Sequence, residues 1–282
     1  MNAAPGNVDT DKAAPARPRR SHRPPARIVL TLEPESLGGG AIDTAVRLAR
    51  AYGAELAAVF VKTSGMLAMV SLPFGGTVIS RSGLSLTIDR GGLDHRLDRL
   101  ARQAQATLAR AAGDRVRWSF RTATGYTEQV AALEALPGDL FAICSRTARQ
   151  VCEAMETHAC SLLLLGDGVA RDRPVIALFE GDTALLVAAR DMAEALGKEL
   201  LVVLPSGPAA PRWRRSVRGW LDRRGLSARV LQSSLAEGAA LAGELARLAP
   251  GLLVMGRQAP AGASVRGVYE SAGRGVPLLL VS

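Results

Sequence analysis

The chain has 282 residues, of which 48% are hydrophobic and 22% charged. That is the balance of an ordinary globular protein, with length enough for two domains that each bury a core. Its longest apolar runs, such as "SLLLLG" and "VPLLLV", fall far short of the roughly 20 residues a helix needs to cross a bilayer, so no membrane is expected as partner. Three cysteines, Cys144, Cys152 and Cys160, exclude a disulfide framework and lack metal-ligand spacing. They fit a reducing, cytoplasmic setting as structural thiols.

The first 27 residues hold five prolines, with six Lys or Arg against two Asp, out of a net charge of +9. They contain no apolar core of the kind an export signal requires, so residues 1–26 read as a disordered, solubilising basic tail. The remaining positive charge is spread along the body.

Organisation follows from an internal repeat. "RIVLTLEPESLGGGAIDTAVRLARAYGAELAAVFV" (27–61) and "RPVIALFEGDTALLVAARDMAEALGKELLVVLP" (173–205) follow one plan. An apolar strand ends at a glutamate (Glu33, Glu180), a turn leads into a helix, and a Gly-x-Glu-Leu junction opens a second strand. Ile42, Ala45, Val46 and Ala49 share one helical face, as do Leu185, Ala189, Met192, Ala193 and Leu196. Gly53 and Gly197 stand where a helix C-terminus takes a left-handed residue.

Further along each unit, "VRWSFRT" and "ARVLQSS" read as short strands, and "DLFAICS" and "GLLVMG" as strands covered on both faces. "SLLLLG" and "PLLLVS" close the units. The expected class is α/β: two tandem units, 27–168 and 173–282, each a mainly parallel five-stranded sheet with helices on both faces. The first unit carries extra sequence, an apolar loop over about 62–92 and a long helix striped by Leu93, Leu97, Leu100, Ala104, Leu108 and Ala111. The loop reads as a flap packed on its own domain or partner, or as a lid over the crevice at the strand ends. In the second unit "PRWRRSVRGWLDRRG" (211–225) places Trp213, Val217, Trp220 and Leu221 on one helical face. The tryptophans read as core contacts and the arginines as a solvated face, so nucleic acid is not expected as a partner.

In the order of these elements, twice over, the sequence resembles the universal stress protein family in its tandem two-domain form. The resemblance rests on the acidic residue after the first strand, the "GAEL"-type junction and endings such as "HACSLLLL", and it spans about residues 27–282. It implies Rossmann-like units of the HUP type. In the ATP-binding branch the acidic residue lies near the nucleoside, and a Gly-x2-Gly-x9-Gly-[Ser/Thr] loop after the fourth strand wraps the phosphates. Backbone N–H groups and a helix N-terminus supply the attraction there.

Carried onto this sequence, the resemblance implies a nucleotide site in the second unit at Glu180, Gly181, Val203, Gly256, Arg257, Ala263 and Ser264. Arg257 and Arg266 would provide positive charge, and the ligand would be ATP or AMP, with Mg in the case of ATP. The pattern is eroded. Ala259 and Ala263 replace glycines, and only six residues separate Gly256 from Ala263. In the first unit Ser145 stands in place of Gly256 and Thr147 in place of Ala263, which leaves no loop to wrap a phosphate. Glutamate in place of aspartate displaces each carboxylate by about 1.5 Å, and Pro34 occupies the turn that Gly181 keeps in the second unit.

The resemblance implies a non-enzymatic stress-response or regulatory protein, with a residual adenine-nucleotide site in the second unit or a fold kept for contact with protein partners; the alternatives are a nucleotide-dependent enzyme of the same general fold and a basic nucleic-acid-binding protein. No Walker A, His-x-Gly-His, Gly-x-Ser-x-Gly or Cys-x-x-Cys sequence is present, so no enzyme activity is expected. Of the histidines, His158 reads as a cation at a helix C-terminus. The terminal strands "SLLLL" and "PLLLV" are the candidate contact between the units, or for self-association.

Overall fold

The computed structural model describes residues 24–34, 37, 40–63, 77–79, 85–87, 90–144, 148–165, 169, 172–233, 239–257 and 276–282. The basic tail before residue 24 and the segment 258–275, with Ala259, Ala263, Ser264 and Arg266, lie outside them, as do Ser145 and Thr147.

The first unit runs β1 (Arg27–Leu32), α1 (Gly40–Tyr52), β2 (Glu55–Thr63), a hairpin of β3 (Thr77–Ile79) and β4 (Ser85–Thr87), then α2 (Arg90–Ala112). It continues through β5 (Trp118–Gly125), α3 (Thr127–Glu134), β6 (Leu140–Cys144), α4 (Ala148–Ala154) and β7 (Ser161–Leu164). The second runs β8 (Val175–Leu178), α5 (Thr183–Leu196), β9 (Leu200–Pro205), α6 (Ala210–Asp222) and β10 (Arg229–Ser233). It ends with α7 (Ala239–Leu248), β11 (Leu252–Gly256) and β12 (Leu278–Val281). The segment read as a plain apolar loop thus contains a short antiparallel hairpin.

All the long strands join one ten-stranded sheet in the order β10-β9-β8-β11-β12-β7-β6-β1-β2-β5. Every pairing of this sheet within a unit is parallel, and both units follow the same internal order. The units meet through β12 and β7, which pair antiparallel with Leu278 opposite Leu164, Leu279 opposite Leu163 and Leu280 opposite Leu162. The two leucine runs therefore cover each other's ladder groups within one chain. This joint also fixes the placement of both crevices. Ligands of open α/β sheets bind beyond the C-terminal strand ends, and the antiparallel joint puts those ends on opposite edges of the sheet for the two units.

The side chains form two continuous cores. One face carries Ile28, Leu30 and Leu32 of β1 and Val175 and Ala177 of β8 under α1, α2, α5 and α6. The other carries Val29, Phe141, Ile143, Ile176 and Leu253 under α3, α4 and α7. Strands buried on both faces need apolar side chains at every position, which is why β6, β8 and β12 read as unbroken hydrophobic runs. The repeat is kept in backbone detail: Gly53 and Gly197 follow α1 and α5 at φ 62 and 63, a conformation that costs a residue with a Cβ about 1 kcal/mol.

Beyond the strand joint, the units share one core in which α1 packs on α5, and side-chain hydrogen bonds cross between them. Arg47 of α1 donates through Nη2 to the carbonyl of Leu196 at the end of α5, at 2.6 Å. On the sheet edge, the guanidinium of Arg257 reaches from the end of β11 to carbonyls of the first unit.

Candidate functional site

The two glutamates that end the first strand of each unit sit in unlike surroundings. Glu33 follows β1 and is buried, and it accepts a short hydrogen bond from the hydroxyl of Thr127, the first residue of α3. Its charge lies at a helix N-terminus, where a carboxylate is favoured. The neighbouring thiol of Cys144, at the end of β6, is pushed up to about 12, by burial first and by Glu33 second. The carboxylate of the first unit is thus engaged by a side chain of its own unit.

Glu180 is half-buried beyond the end of β8. Its Oε1 is enclosed and has no hydrogen-bond partner among the described residues. Burial pushes the carboxyl up to about 7. A buried acceptor left unpaired costs about 1–3 kcal/mol, so such an atom is either carried at a cost or completed by something that binds. Gly181 beside it has φ 103, and a Cβ there would stand 3.2 Å from the indole Nε1 of Trp213. Glycine is required on both counts: the backbone conformation is left-handed, and the Trp213 ring occupies the space. Asp182 then caps α5, accepting from the Ala184 N–H at 2.8 Å.

Val203 is fully buried in β9, and its carbonyl is engaged by the N–H of Phe179 at 3.0 Å. Gly256 ends β11 on the same edge as Glu180, in register with Val281. Ala263 and Ser264 fall in the segment outside the described residues.

Arg257 requires a correction. Sequence resemblance gives it a phosphate; the structure gives its guanidinium to backbone carbonyls of the first unit. Nη1 donates to Met155 at 2.6 Å and His158 at 2.9 Å, with Glu156 at 3.4 Å. Nη2 donates to Cys160 at 2.6 Å. Arg257 from the other unit thus lies at the turn after α4, where His158 contributes its carbonyl and keeps a buried Nδ1 without a partner among the described residues. The physical reason is the antiparallel strand joint, which sets the end of β11 on the same sheet edge as the start of β7, with β12 between them.

No protein-family model and no curated protein sequence matches this chain. Solved structures do. A universal stress protein from Archaeoglobus fulgidus DSM 4304 superposes with a TM-score of 0.57 at 13% identity, covering 90% of this chain and 98% of that one. A putative universal stress protein from Pseudomonas aeruginosa UCBPP-PA14 gives 0.52 at 15% identity, over 91% and 93% of the two chains. This chain has the tandem universal stress protein fold. A functionally unknown protein from Pseudomonas aeruginosa PAO1 gives a TM-score of 0.52 at 14% identity, over 91% and 92% of the chains. Within the universal stress protein fold, Glu180 and Gly256 stand at the strand ends where the resemblance places the nucleoside and the first glycine of the phosphate loop.

The state of Glu180 makes a prediction about stability. Its folded pKa lies above the ordinary 4.5, so the folded chain holds this proton more tightly than the unfolded chain. The sign is then fixed: the contribution of Glu180 to stability is intact below about pH 4.5 and is lost as pH rises through about 7. Glu180→Gln removes that loss. After allowance for its half-exposed position, the variant is expected to gain about 1 kcal/mol over the parent at pH 8 and nothing at pH 4.5. Thermal melts across this range should show the two curves diverging by roughly 2–4 °C at alkaline pH. Parallel curves would mean that the carboxylate is not left unpaired in the folded chain.

Proposed function

We propose that the protein is a non-enzymatic regulatory module of the universal stress protein kind, whose second unit keeps a recognition point for an adenine nucleoside or its monophosphate. The observation that carries this reading is the enclosed Oε1 of Glu180 at the strand-end edge of the second unit, which has no hydrogen-bond partner among the described residues. A carboxylate in that position accepts from ligand hydroxyl or amino donors, and the glycine beside it admits a close approach. A binding role is further supported by the thiols. Burial raises the pKa of Cys144, Cys152 and Cys160 alike, so none is biased toward the nucleophilic thiolate.

The commitment of Arg257 supports a site that recognises the nucleoside more than a polyphosphate. Four carbonyl oxygens already surround its guanidinium, so this residue adds nothing to ATP over AMP. Calorimetric titration of the full chain with adenosine, AMP and Mg-ATP tests the reading. The expected result is binding of adenosine and AMP, with ATP gaining less than about tenfold, or 1.4 kcal/mol, over AMP. Affinity should rise with pH through about 7 as Glu180 ionises, and Glu180→Ala should abolish binding. Absence of binding at millimolar ligand, or binding that Glu180→Ala leaves intact, would sink the reading and turn the search toward protein partners.

A further inference from the structure

Helix α6 carries a charge that the nucleoside site does not use. Its apolar side faces the core: Val217, Trp220 and Leu221 are buried and Trp213 packs against the same cluster. The opposite side carries Arg212, Arg215 and Arg218, all exposed. Three-residue spacing sets them one above another, about 4.5 Å apart along the axis. Beyond the helix, Arg223, Arg224 and Arg229 extend the exposed positive surface toward the outer edge strand β10. Arg214 is held by Gln232 at 2.7 Å, and Arg224 stacks over the Trp220 ring at 4.6 Å.

Among the described residues, no carboxylate pairs with any of these arginines; the ion pairs all lie elsewhere. Asp222 is the only acid in the helix. Like charges one turn apart weaken a helix by about 0.2–0.5 kcal/mol per pair, so the stripe is maintained against its own repulsion.

We infer that the exposed face of α6, continued by Arg223 and Arg229, binds the phosphodiester backbone of nucleic acid without reading its bases. The sequence pattern argues against nucleic acid because the tryptophans read as core residues and offer no stacking platform; Trp220 is buried and Trp213 partly so. Backbone contact needs no platform, only cations at regular spacing, and guanidinium forks match phosphate oxygens in pairs. An anionic membrane is the poorer fit. Surface helices hold a bilayer by inserting an apolar face, and the exposed large hydrophobic side chains among the described residues are Tyr126, Leu133 and Leu136, none of them on α6.

The test uses the full chain, basic tail included, and a short fluorescein-labelled DNA duplex read by anisotropy between about 50 and 200 mM salt. The triple variant Arg212→Gln, Arg215→Gln, Arg218→Gln changes exposed positions only and keeps helix propensity, and a thermal melt verifies that it folds. The expected result is binding whose log K falls linearly with log salt. The triple variant should lose at least about tenfold in affinity and two to three units of that slope. A single-stranded RNA should show the same dependence. The inference is overturned by no binding at the lowest salt, or by equal binding of parent and variant, which would assign it to the tail. Tighter binding to phosphatidylserine vesicles than to the duplex overturns it as well. Adenosine titration is independent of all these outcomes.

Discussion

Arg257→Ala is expected to destabilise the chain by about 3–4 kcal/mol and to lower its melting temperature by about 10 °C. The guanidinium extends from the end of β11 and is committed to Met155, His158 and Cys160 of the other unit. Removing it takes this donor from three carbonyl oxygens of a part-buried turn. Each hydrogen bond to a charged donor is worth about 1.5–3 kcal/mol when its loss leaves a buried group unpaired. Part of that sum is offset, because Arg257 itself buries an Nε that has no partner among the described residues. Arg257→Lys distinguishes geometry from charge. An ammonium is a point donor and cannot span Met155 and Cys160 together, so the lysine variant should recover less than half of the loss. Hydrogen exchange at 155–160 should quicken in both. A change below about 1 kcal/mol with unaltered exchange would mean that the turn is held by other contacts.

That residue also marks the boundary between what local pattern dictates and what it does not. The repeat was legible because each unit must satisfy the same local rules. Strands covered twice are apolar throughout, a helix covering a sheet shows its stripe, and a helix end that turns left-handed takes glycine, as Gly53 and Gly197 do. The parallel class of the sheet and its cover of helices on both faces follow from those rules. Nothing local specifies that β12 pairs antiparallel with β7, or that the end of β11 thereby lies on the same sheet edge as the start of β7. Arg257 looked like a phosphate ligand because its neighbour along the chain is Gly256. The carbonyls that hold it lie about a hundred positions away, across the sheet joint.

The contrast between the two glutamates was hidden for a similar reason. Glu33 and Glu180 occupy matching positions in the repeat, and the sequence distinguished them by Pro34 and Gly181 alone. What separates them in space is Thr127, which stands 94 positions from Glu33 and closes on its carboxylate. A single side chain from α3 thus engages one carboxylate, while the other keeps an acceptor without a partner among the described residues. The replaced glycines at Ala259 and Ala263 lie in a segment outside the described residues, so the phosphate loop is decided by titration and not by geometry.

Asp139→Ala should rank with Arg257→Ala in cost, about 2–4 kcal/mol, with no effect on the second crevice. Arg27 opens β1 and Asp139 immediately precedes β6, its neighbour in the sheet. The carboxylate accepts from Arg27 Nη2 at 2.6 Å and Nε at 3.1 Å, and also from the Leu136 N–H at 3.0 Å. Arg27 donates further to the Glu134 carbonyl at 2.7 Å, so one ion pair clamps the end of α3 and the starts of two central strands. Asp139 is buried, whereas the Arg27 side chain keeps 26% of its surface exposed, which is why the cost falls below that of a fully enclosed pair. Asp139→Asn keeps an acceptor for Leu136 and Arg27 but loses the charge, and should give up about half as much. Because Thr127 begins the helix whose end this clamp holds, the alanine variant is also expected to loosen the Thr127 contact to Glu33. The measurable sign is the Cys144 thiol, buried beside Glu33 at the end of β6: it should react with a thiol reagent at least about tenfold faster in Asp139→Ala than in the parent under native conditions, in proportion to the weaker local closing equilibrium. Unchanged reactivity alongside a lowered melting temperature would show that the clamp serves global stability and leaves the Thr127–Glu33 contact untouched.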